Sequence, residues 1–213
     1  MDDTYIRILE NIDDIYCRHV YDILTLIAFS MWPLRLAEII EVIAFDVEGK
    51  CFSEDEKLMG PLDVFKICSS LISLPDTRLI EETDSSEREF NPSEQEVRFA
   101  YFSVKEFLIA DRSMNNRFHI SKQSANELIG EQCVIYLRSN LNFIDPLIWN
   151  LIGRYRFLRY SARYWYTHID TFLLDASHKE LKDLILQLFD SIIFSNWLRI
   201  WDQDNHREMA DDL

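Results

Sequence analysis

Apolar residues recur at helical spacing through the first third of the chain, between short polar breaks. This pattern predicts a short helix capped by Asp3 and Thr4, a second helix that Pro33 stops, a third helix over Arg35–Ala44 and a fourth that begins at Pro61. Each predicted helix carries its apolar residues on one face. We therefore expect each of them to pack that face against a core.

Two short strands are predicted next, on either side of a charged loop. Leu71–Leu74 is short and mostly apolar, residues 81–96 are rich in acidic side chains, and Val97–Phe102 alternates as a strand does. The second strand leads directly into a predicted helix over Ser103–Ala110. Ser103 can cap this helix, and Glu106, three residues later, completes a capping box.

The strand-to-helix joint is the most informative local feature of the chain. We expect the side chains of Phe102, Phe107 and Leu108 to hold it together, with the Phe102 ring buried. Ser103 and Glu106 would fix the first turn of the helix by capping it.

The second half of the chain is predicted to be helical. Ser124 and Glu127 offer another capping box, Phe157–Tyr166 is an aromatic helical stretch, and Leu181–Trp201 has the pattern of a long amphipathic helix. The predicted fold class is mainly α, with a small two-stranded β-wing. The order of elements follows the winged-helix plan, which gives a winged-helix domain over 1–112, a helical extension over 113–201 and a polar tail over 202–213.

The segment Val97–Leu108, VRFAYFSVKEFL, also resembles a known motif. It is similar to the end of the winged-helix domain that follows the NACHT nucleotide-binding domain in fungal NLR-like proteins, usually written HFSVKEYL. Other pieces resemble the same family in the same order, and together they cover nearly the whole chain: DDTYIRILENID, LTLIAFSMWPLRLAEIIEVIAFD, ICSSLISL, FHISKQSANELIGEQCVIYL, YSARYWYTHI and NWLRIWDQD.

The resemblance implies a part of a molecular switch rather than a metabolic enzyme. The family belongs to the signal-transducing ATPases with numerous domains (STAND proteins), in which such a segment lies between the NACHT ATPase domain and ankyrin repeats. The implied partners are therefore a NACHT domain and ankyrin repeats, in the same chain or in another one. The resemblance implies no catalytic residue and no cofactor of its own.

Two departures from the family affect nucleotide binding. The sequence contains no G-x-x-x-x-G-K-[ST] loop, so the phosphate cradle of a P-loop ATPase would have to be supplied elsewhere. The family commonly has histidine directly before Phe102, where a winged-helix histidine contacts the phosphate of bound ADP, and here that residue is Tyr101. A phenol can donate a hydrogen bond to phosphate but cannot carry the charge of an imidazolium. Tyr101 is thus the candidate nucleotide contact.

Charge excludes two classes of partner. The chain has 37 acidic and 22 basic residues and a net charge of −15, so it would be repelled by nucleic-acid phosphates and by anionic membranes. The predicted second helix of a helix-turn-helix, LDVFKICSS over 62–70, has one lysine and one aspartate. A helix that reads a DNA groove needs several Arg, Lys, Asn or Gln side chains on one face. We expect no nucleic-acid and no membrane partner.

The remaining chemistry points to a cytoplasmic protein that is not an enzyme. The opening MDDTYIRILENIDD is acidic, unlike a signal or transit peptide, and no apolar run reaches the roughly 18 residues of a membrane span. The cysteines lack C-x-x-C spacing, which favours thiols in a reducing compartment. No histidine stands at ligand spacing to another, and no G-x-S-x-G elbow occurs, so we expect neither a metal site nor a catalytic site.

Residues 154–166 form the only stretch that is both basic and aromatic. Its helical spacing is compatible with a packed core and interdomain contact, with a protein-binding surface, or with a single-stranded nucleic-acid site. The interface candidates are Arg156, Arg159, Tyr160, Arg163, Tyr164 and Trp165.

The expected function is that of a non-catalytic regulatory module, which couples a NACHT ATPase domain to an ankyrin-repeat sensor. Two alternatives stay open at this point. The chain could be a stand-alone adaptor or decoy that binds such switch proteins, or a gene fragment without a function.

Overall fold

The computed structural model of the protein describes residues 2–46, 51–52, 61–75, 91–113, 116–141, 153–170, 172, 179–189 and 192–201. These residues are mainly helical, with small antiparallel strand pairs, which confirms the predicted fold class at this level. In chain order, the elements are α1 (Asp2–Glu10), α2 (Cys17–Phe29), α3 (Leu36–Ile43), β1 (Phe45–Asp46), β2 (Cys51–Phe52), α4 (Pro61–Cys68), β3 (Ile72–Ser73), β4 (Arg98–Phe99), α5 (Phe102–Ile109), α6 (Lys122–Asn140), α7 (Leu158–Ile169), α8 (Lys179–Leu188) and α9 (192–201).

The chain divides into two compact units. The first consists of Met1–Ile40 and Leu58–Lys122, and the second of Glu41–Lys57 and Gln123–Leu213. The domain boundary at residue 112, which the order of predicted elements suggested, stays a prediction. Residues 202–213, the predicted polar tail, lie outside the described residues.

The helices of the first unit form where the apolar stripes predicted them. In α2, the side chains of Val20, Ile23 and Leu24 are fully buried, and α3 buries Leu36 and Ile39. Such stripes at spacings of three and four residues place one helix face against the core.

The ends of these helices are set by backbone contacts and one side chain. Helix α2 ends before Pro33, at Phe29, where the N–H of Ser30 donates to the carbonyl oxygen of Leu26 at 3.0 Å. At the start of α3, the Glu38 carboxylate accepts a hydrogen bond from the backbone N–H of Arg35 at 2.7 Å, which satisfies a donor that the helix leaves free.

The two predicted strands pair with each other, although each is shorter than expected. Strands β3 and β4 are antiparallel, with Ile72 opposite Phe99 and Ser73 opposite Arg98. Residues 95–97 also exchange hydrogen bonds with 34–36, through the N–H of Val97 to the oxygen of Leu34 and the N–H of Leu36 to the oxygen of Gln95, both 2.9 Å. Most of the predicted loop over 81–96 lies outside the described residues.

Both predicted capping boxes are wrong, because the two helices begin earlier than the boxes require. Helix α5 begins at Phe102, so Ser103 already lies in its first turn, and Tyr101 at the N-cap makes no side-chain capping bond. Helix α6 begins at Lys122, which places Ser124 inside the helix as well. A serine caps a helix only from the position before the first helical residue.

The second unit holds α6, the longest helix of the described residues, and a strand pair that the sequence did not predict. Strands β1 and β2 pair antiparallel, with Phe45 opposite Phe52. The single helix predicted over Leu181–Trp201 is wrong: α8 ends at Leu188, where the N–H of Phe189 donates to the oxygen of Leu186 at 3.2 Å in a tight final turn. A separate helix, α9, follows over 192–201.

Close packing of α6 on α7 depends on the absence of a side chain at Gly130. A Cβ built at Gly130 would collide with the Cγ2 methyl of Ile169 and would lie 3.4 Å from the Cβ of His168. Only glycine allows the two helices to approach this closely without moving.

Candidate interaction groove

An open groove of about 430 Å³ lies at the strand-to-helix joint of the first unit. Its walls are the end of α2, the loop over 30–34, residues 97–99 and the first turn of α5. Strand β4 and helix α5, which the sequence predicted, therefore face the end of α2 across the groove. The antiparallel pairing of 34–36 with 95–97 holds these walls together.

The groove is lined mainly by apolar and aromatic side chains, several of which are exposed. The ring of Phe102 is 75% exposed and the side chain of Met31 is 44% exposed, and both line the groove together with Trp32 and Phe99. Aromatic and methionine side chains of this kind are enriched at protein interfaces.

The expected burial of Phe102 is wrong, and the geometry of α5 explains why. Phe107 and Leu108 are 3% and 1% exposed, so the buried face of the helix is set by these two residues. Around the helix axis, Phe102 lies about 140° from Phe107 on one side and about 120° from Leu108 on the other, so its side chain points away from the buried face. The role of Phe107 and Leu108 in holding the joint stays a prediction.

Among the described residues, two cations and no carboxylate line the groove. The Lys105 Nζ lies 5.7 Å from the centroid of the Phe29 ring. The Arg98 guanidinium forms an ion pair with Glu96, which lies outside the lining, at 2.6 Å. In a chain with 37 acidic and 22 basic residues, this lining differs from the average surface of the protein.

Tyr101 lies at the N-terminal end of α5, next to the groove but not in its lining. Its backbone is extended, with φ −140° and ψ 142°, and its side chain is 66% exposed. The phenol is therefore accessible from solvent at a helix N-terminus. A nucleotide contact through Tyr101 stays a prediction.

On the other side of the joint, Ser103 contacts α1 rather than capping α5. Its Oγ lies 2.7 Å from the hydroxyl oxygen of Tyr5, and the Tyr5 and Phe107 rings are 5.6 Å apart between centroids. Glu106, the other residue of the predicted capping box, is exposed. Residues from opposite ends of the first unit thus fix the position of the helix.

The aromatic and basic stretch is divided between the core and the surface of the second unit. Tyr160 is fully buried and Trp165 is 6% exposed, so the interpretation of these two as surface residues is wrong and the packed-face interpretation fits them. The physical reason is packing of α7 within the second unit: the Tyr160 ring stacks on the buried Phe157 ring, with 4.9 Å between centroids, and the Trp165 ring lies 6.1 Å from the Trp197 ring. The other candidates lie at or near the surface: Arg156 is exposed, and Arg159, Arg163 and Tyr164 are half-buried.

A buried histidine that the sequence did not single out lies on the same helix. His168 is fully buried, and its Nε2 accepts a hydrogen bond from the Tyr160 hydroxyl at 2.7 Å. The amide oxygen of Asn126 accepts from its Nδ1 at 2.9 Å, which assigns the proton to that nitrogen. Burial lowers the pKa of His168 to about 4. The arrangement resembles a catalytic relay, but it is closed to solvent and serves to satisfy buried polar groups.

Burial also raises the pKa values of two carboxyl groups. Burial raises the pKa of Asp22 to about 7, against the opposing effect of Arg18. Burial also raises the pKa of Glu41, although its carboxylate accepts a hydrogen bond from the backbone N–H of Phe157 at 3.0 Å. Asp22 is buried in the first unit, whereas Glu41 is half-buried in the second.

The part of the chain that the structure describes shows no metal site and no activated thiol. No group of three or more His, Cys, Asp or Glu residues there is placed to hold a metal ion. Cys17, Cys68 and Cys133 are free thiols, and burial raises the pKa of Cys68 and Cys133. Across the same residues, no helix has the length and apolar character needed to cross a bilayer.

Comparison with known proteins gives one distant similarity. No family model matches the chain, and no solved structure matches it significantly. The chain is 31% identical over 219 residues to the azaphilone pigments biosynthesis cluster protein L of Monascus ruber. This match covers 96% of the chain and 42% of the relative, so the chain spans less than half the length of that protein.

Proposed function

We propose that the chain is a non-catalytic regulatory module that couples the NACHT domain of a signalling ATPase to an ankyrin-repeat sensor. The observation that carries the proposal is the joint itself. Strand β4 leads within two residues into α5, and the first residues of that joint, Tyr101 and Phe102, are exposed beside an open apolar groove. Exposed aromatic side chains beside an apolar groove favour protein contact.

The order of elements supports a winged-helix assignment for this module. Helices α2, α3 and α4 are followed by β3 and β4, which pair antiparallel, and then by α5. In our proposal the strand pair is the base of the wing, the domain extends over 1–112, and residues 113–201 form the extension toward the repeats. The NACHT and ankyrin modules belong to the same polypeptide or to a partner chain.

The proposed mechanism is a shift between two packed states. In the resting state the joint packs on the nucleotide domain, and on activation it separates from it. Burying an aromatic side chain such as Phe102 contributes about 1.5–3 kcal/mol, which shifts a two-state equilibrium by roughly tenfold to hundredfold. One exposed ring is therefore sufficient to bias such a switch.

The setting of the proposal is the fungal cytoplasm. The similar protein from Monascus ruber supports a fungal context, and its printed name assigns that protein to a pigment biosynthesis cluster. A net charge of −15 supports protein partners over nucleic acid or anionic membranes.

The experiment is a capture of partners from native cell extract, with the purified chain as bait, in the presence and absence of ADP. Tyr101→Ala and Tyr166→Ala provide matched baits, because both tyrosines are exposed, at 66% and 56%, and only Tyr101 lies at the joint. We expect recovery of a NACHT-containing ATPase that increases with ADP and falls for Tyr101→Ala alone. Failure to recover any such ATPase would contradict the proposal and leave an adaptor for another target or a fragment without a function.

A further inference from the structure

The geometry points to one kind of occupant for the groove: a short peptide segment of a protein partner that carries apolar side chains next to a carboxylate. The inference adds a partner chemistry to the proposed function and depends on it only for the existence of a protein partner. It concerns the groove lining rather than Tyr101.

The shape of the groove favours a segment laid across it over an enclosed small molecule. Its volume of about 430 Å³ is within the range of ligand sites. However, sites for small molecules bury about 70–90% of their ligand, whereas here the rim residue Phe102 is itself 75% exposed. An occupant would stay open on one side, as a peptide on a protein surface does.

The side chains of the lining favour apolar anchors. Met31, Trp32, Phe99 and Phe102 present flexible and aromatic surface along the groove. Anchoring side chains that enter such surface contribute most of the binding energy of protein interfaces. A segment with two apolar residues would cover the exposed rings and the Met31 side chain together.

The charge of the lining decides the polar part of the occupant. Lys105 contacts the Phe29 ring and makes no ion pair within the described part of the chain. Arg98 is paired with Glu96, but both side chains are well exposed, at 61% and 40%, and such surface pairs contribute little and exchange readily. A carboxylate on the occupant would complement these two cations, and such complementarity acts mainly on specificity.

The test begins with selection of binders from a random 12-residue peptide library displayed on phage, with the full chain as target. Enriched peptides are then synthesised with a fluorescent label, and their affinity is measured by anisotropy. The variants are Phe102→Ala and Lys105→Glu. Leu186→Ala in the second unit is the control, because its side chain is 69% exposed and far in sequence from the joint.

We expect enriched peptides that combine apolar residues with Asp or Glu. Their affinity should fall about tenfold or more for Phe102→Ala and about fivefold for Lys105→Glu, and it should be unchanged for Leu186→Ala. Replacing the acidic residues of a peptide by lysine should also weaken its binding to the wild-type chain, by about fivefold or more. Thermal unfolding of each variant is the control for an intact fold. Because Phe102 is 75% exposed, we expect the melting temperature of Phe102→Ala to stay close to that of the wild type.

Three results would overturn the inference. They are the absence of any enriched peptide, an enriched set that is basic, and equal binding by Phe102→Ala and wild type. Dimerisation of the chain that Phe102→Ala abolishes, seen by sedimentation, would assign the groove to a second copy instead.

The outcomes for the groove and for the switch role are separable. Binding of acidic peptides without recovery of a NACHT ATPase would support the groove as a peptide site and contradict the regulatory role. Recovery of that ATPase without peptide binding would support the regulatory role and contradict the peptide site.

Discussion

The hydroxyl oxygen of Tyr5 lies 2.7 Å from the Oγ of Ser103, a residue 98 positions later in the chain. This contact joins α1 to the first turn of α5, where the Tyr5 ring also packs against Phe107. The polar group that the sequence suggested as a helix cap is instead used between two helices. The strand-to-helix joint is therefore held by tertiary contacts rather than by local capping.

Removing either hydroxyl should lower the stability of the first unit. Tyr5→Phe and Ser103→Ala should each reduce the free energy of unfolding by about 1 kcal/mol, because a partly buried hydrogen bond is lost. The double variant should lose less free energy of unfolding than the sum of the two single losses, since both changes remove the same hydrogen bond. Urea unfolding of the four proteins measures this coupling.

Glu106→Ala is the control for that cycle. Because Glu106 is exposed and the capping box does not form, its replacement should change the stability by less than about 0.5 kcal/mol. A loss as large as that of Ser103→Ala would instead support the capping box.

The two phenylalanines of α5 should respond differently to truncation. Phe107→Ala should reduce the free energy of unfolding by about 3–5 kcal/mol, since its ring is 3% exposed and its removal leaves a cavity. Phe102→Ala should change it by less than about 0.5 kcal/mol, since that ring is 75% exposed. Chemical denaturation checks both values, and equal losses would contradict the exposure of Phe102.

Gly130→Ala should destabilise the second unit although alanine is the better helix former. The methyl group would meet Ile169, and overpacking costs about 1–3 kcal/mol, against a gain of at most about 1 kcal/mol in helix propensity. Gly153→Ala is the matched control, because a Cβ there would meet no atom within 4 Å. Thermal melts of both variants test the prediction, and a Gly130→Ala protein more stable than wild type would refute it.

The buried His168 should make stability fall in acid. Its pKa is lowered from 6.5 to about 4 in the folded protein, so between these values the unfolded state binds more protons. The contribution of His168 is therefore fully present above pH 6.5 and is lost as the pH falls toward 4. Asp22, with a pKa raised from 3.8 to about 7, acts in the opposite direction, since its contribution is lost as the pH rises through that range.

Because the two groups oppose each other, the measurement compares wild type with His168→Gln across that pH range. On acidification the wild-type free energy of unfolding should fall relative to that of the variant, in which the contribution of Asp22 is no longer opposed by His168. Parallel curves would contradict the assignment of a low pKa to His168.

Much of the fold follows from sequence periodicity, because burial of one apolar face per helix is a repeated and local signal. The buried faces of α2 and α3 were predicted in this way, and the start of α4 at Pro61 followed from the preference of proline for the first turn of a helix. The features that the sequence did not predict depend on contacts between residues that are distant in the chain. Ser103 bonds to Tyr5 rather than to its own helix, and His168 is partnered by Asn126, 42 positions earlier.

The candidate site was predicted only in part. The sequence located the strand-to-helix joint, and its residues do line an open groove. It could not show that Phe102 faces outward, because the helix begins one residue before Ser103 and the buried face is set by Phe107 and Leu108. The contribution of the loop over 30–34 to the same groove depends on pairing with 95–97, which periodicity does not reveal.

Tyr101→His should increase the response of the proposed complex to ADP. An imidazolium at the N-terminus of α5 would add a positive charge toward phosphate, which the phenol of Tyr101 cannot provide. The ratio of NACHT ATPase captured with and without ADP should rise for Tyr101→His and stay constant for Tyr166→His. Without a NACHT domain in the assay, neither variant should bind ADP measurably. Measurable binding of ADP by the isolated Tyr101→His chain would contradict this view.

The most direct test of the regulatory role is the amount of NACHT ATPase that the wild-type chain retains from native extract at saturating ADP, relative to the amount without nucleotide. Coupling between sites is typically worth about 1–3 kcal/mol, so the regulatory role predicts an increase of about fivefold or more. A ratio of one, or no NACHT ATPase in either sample, would contradict it.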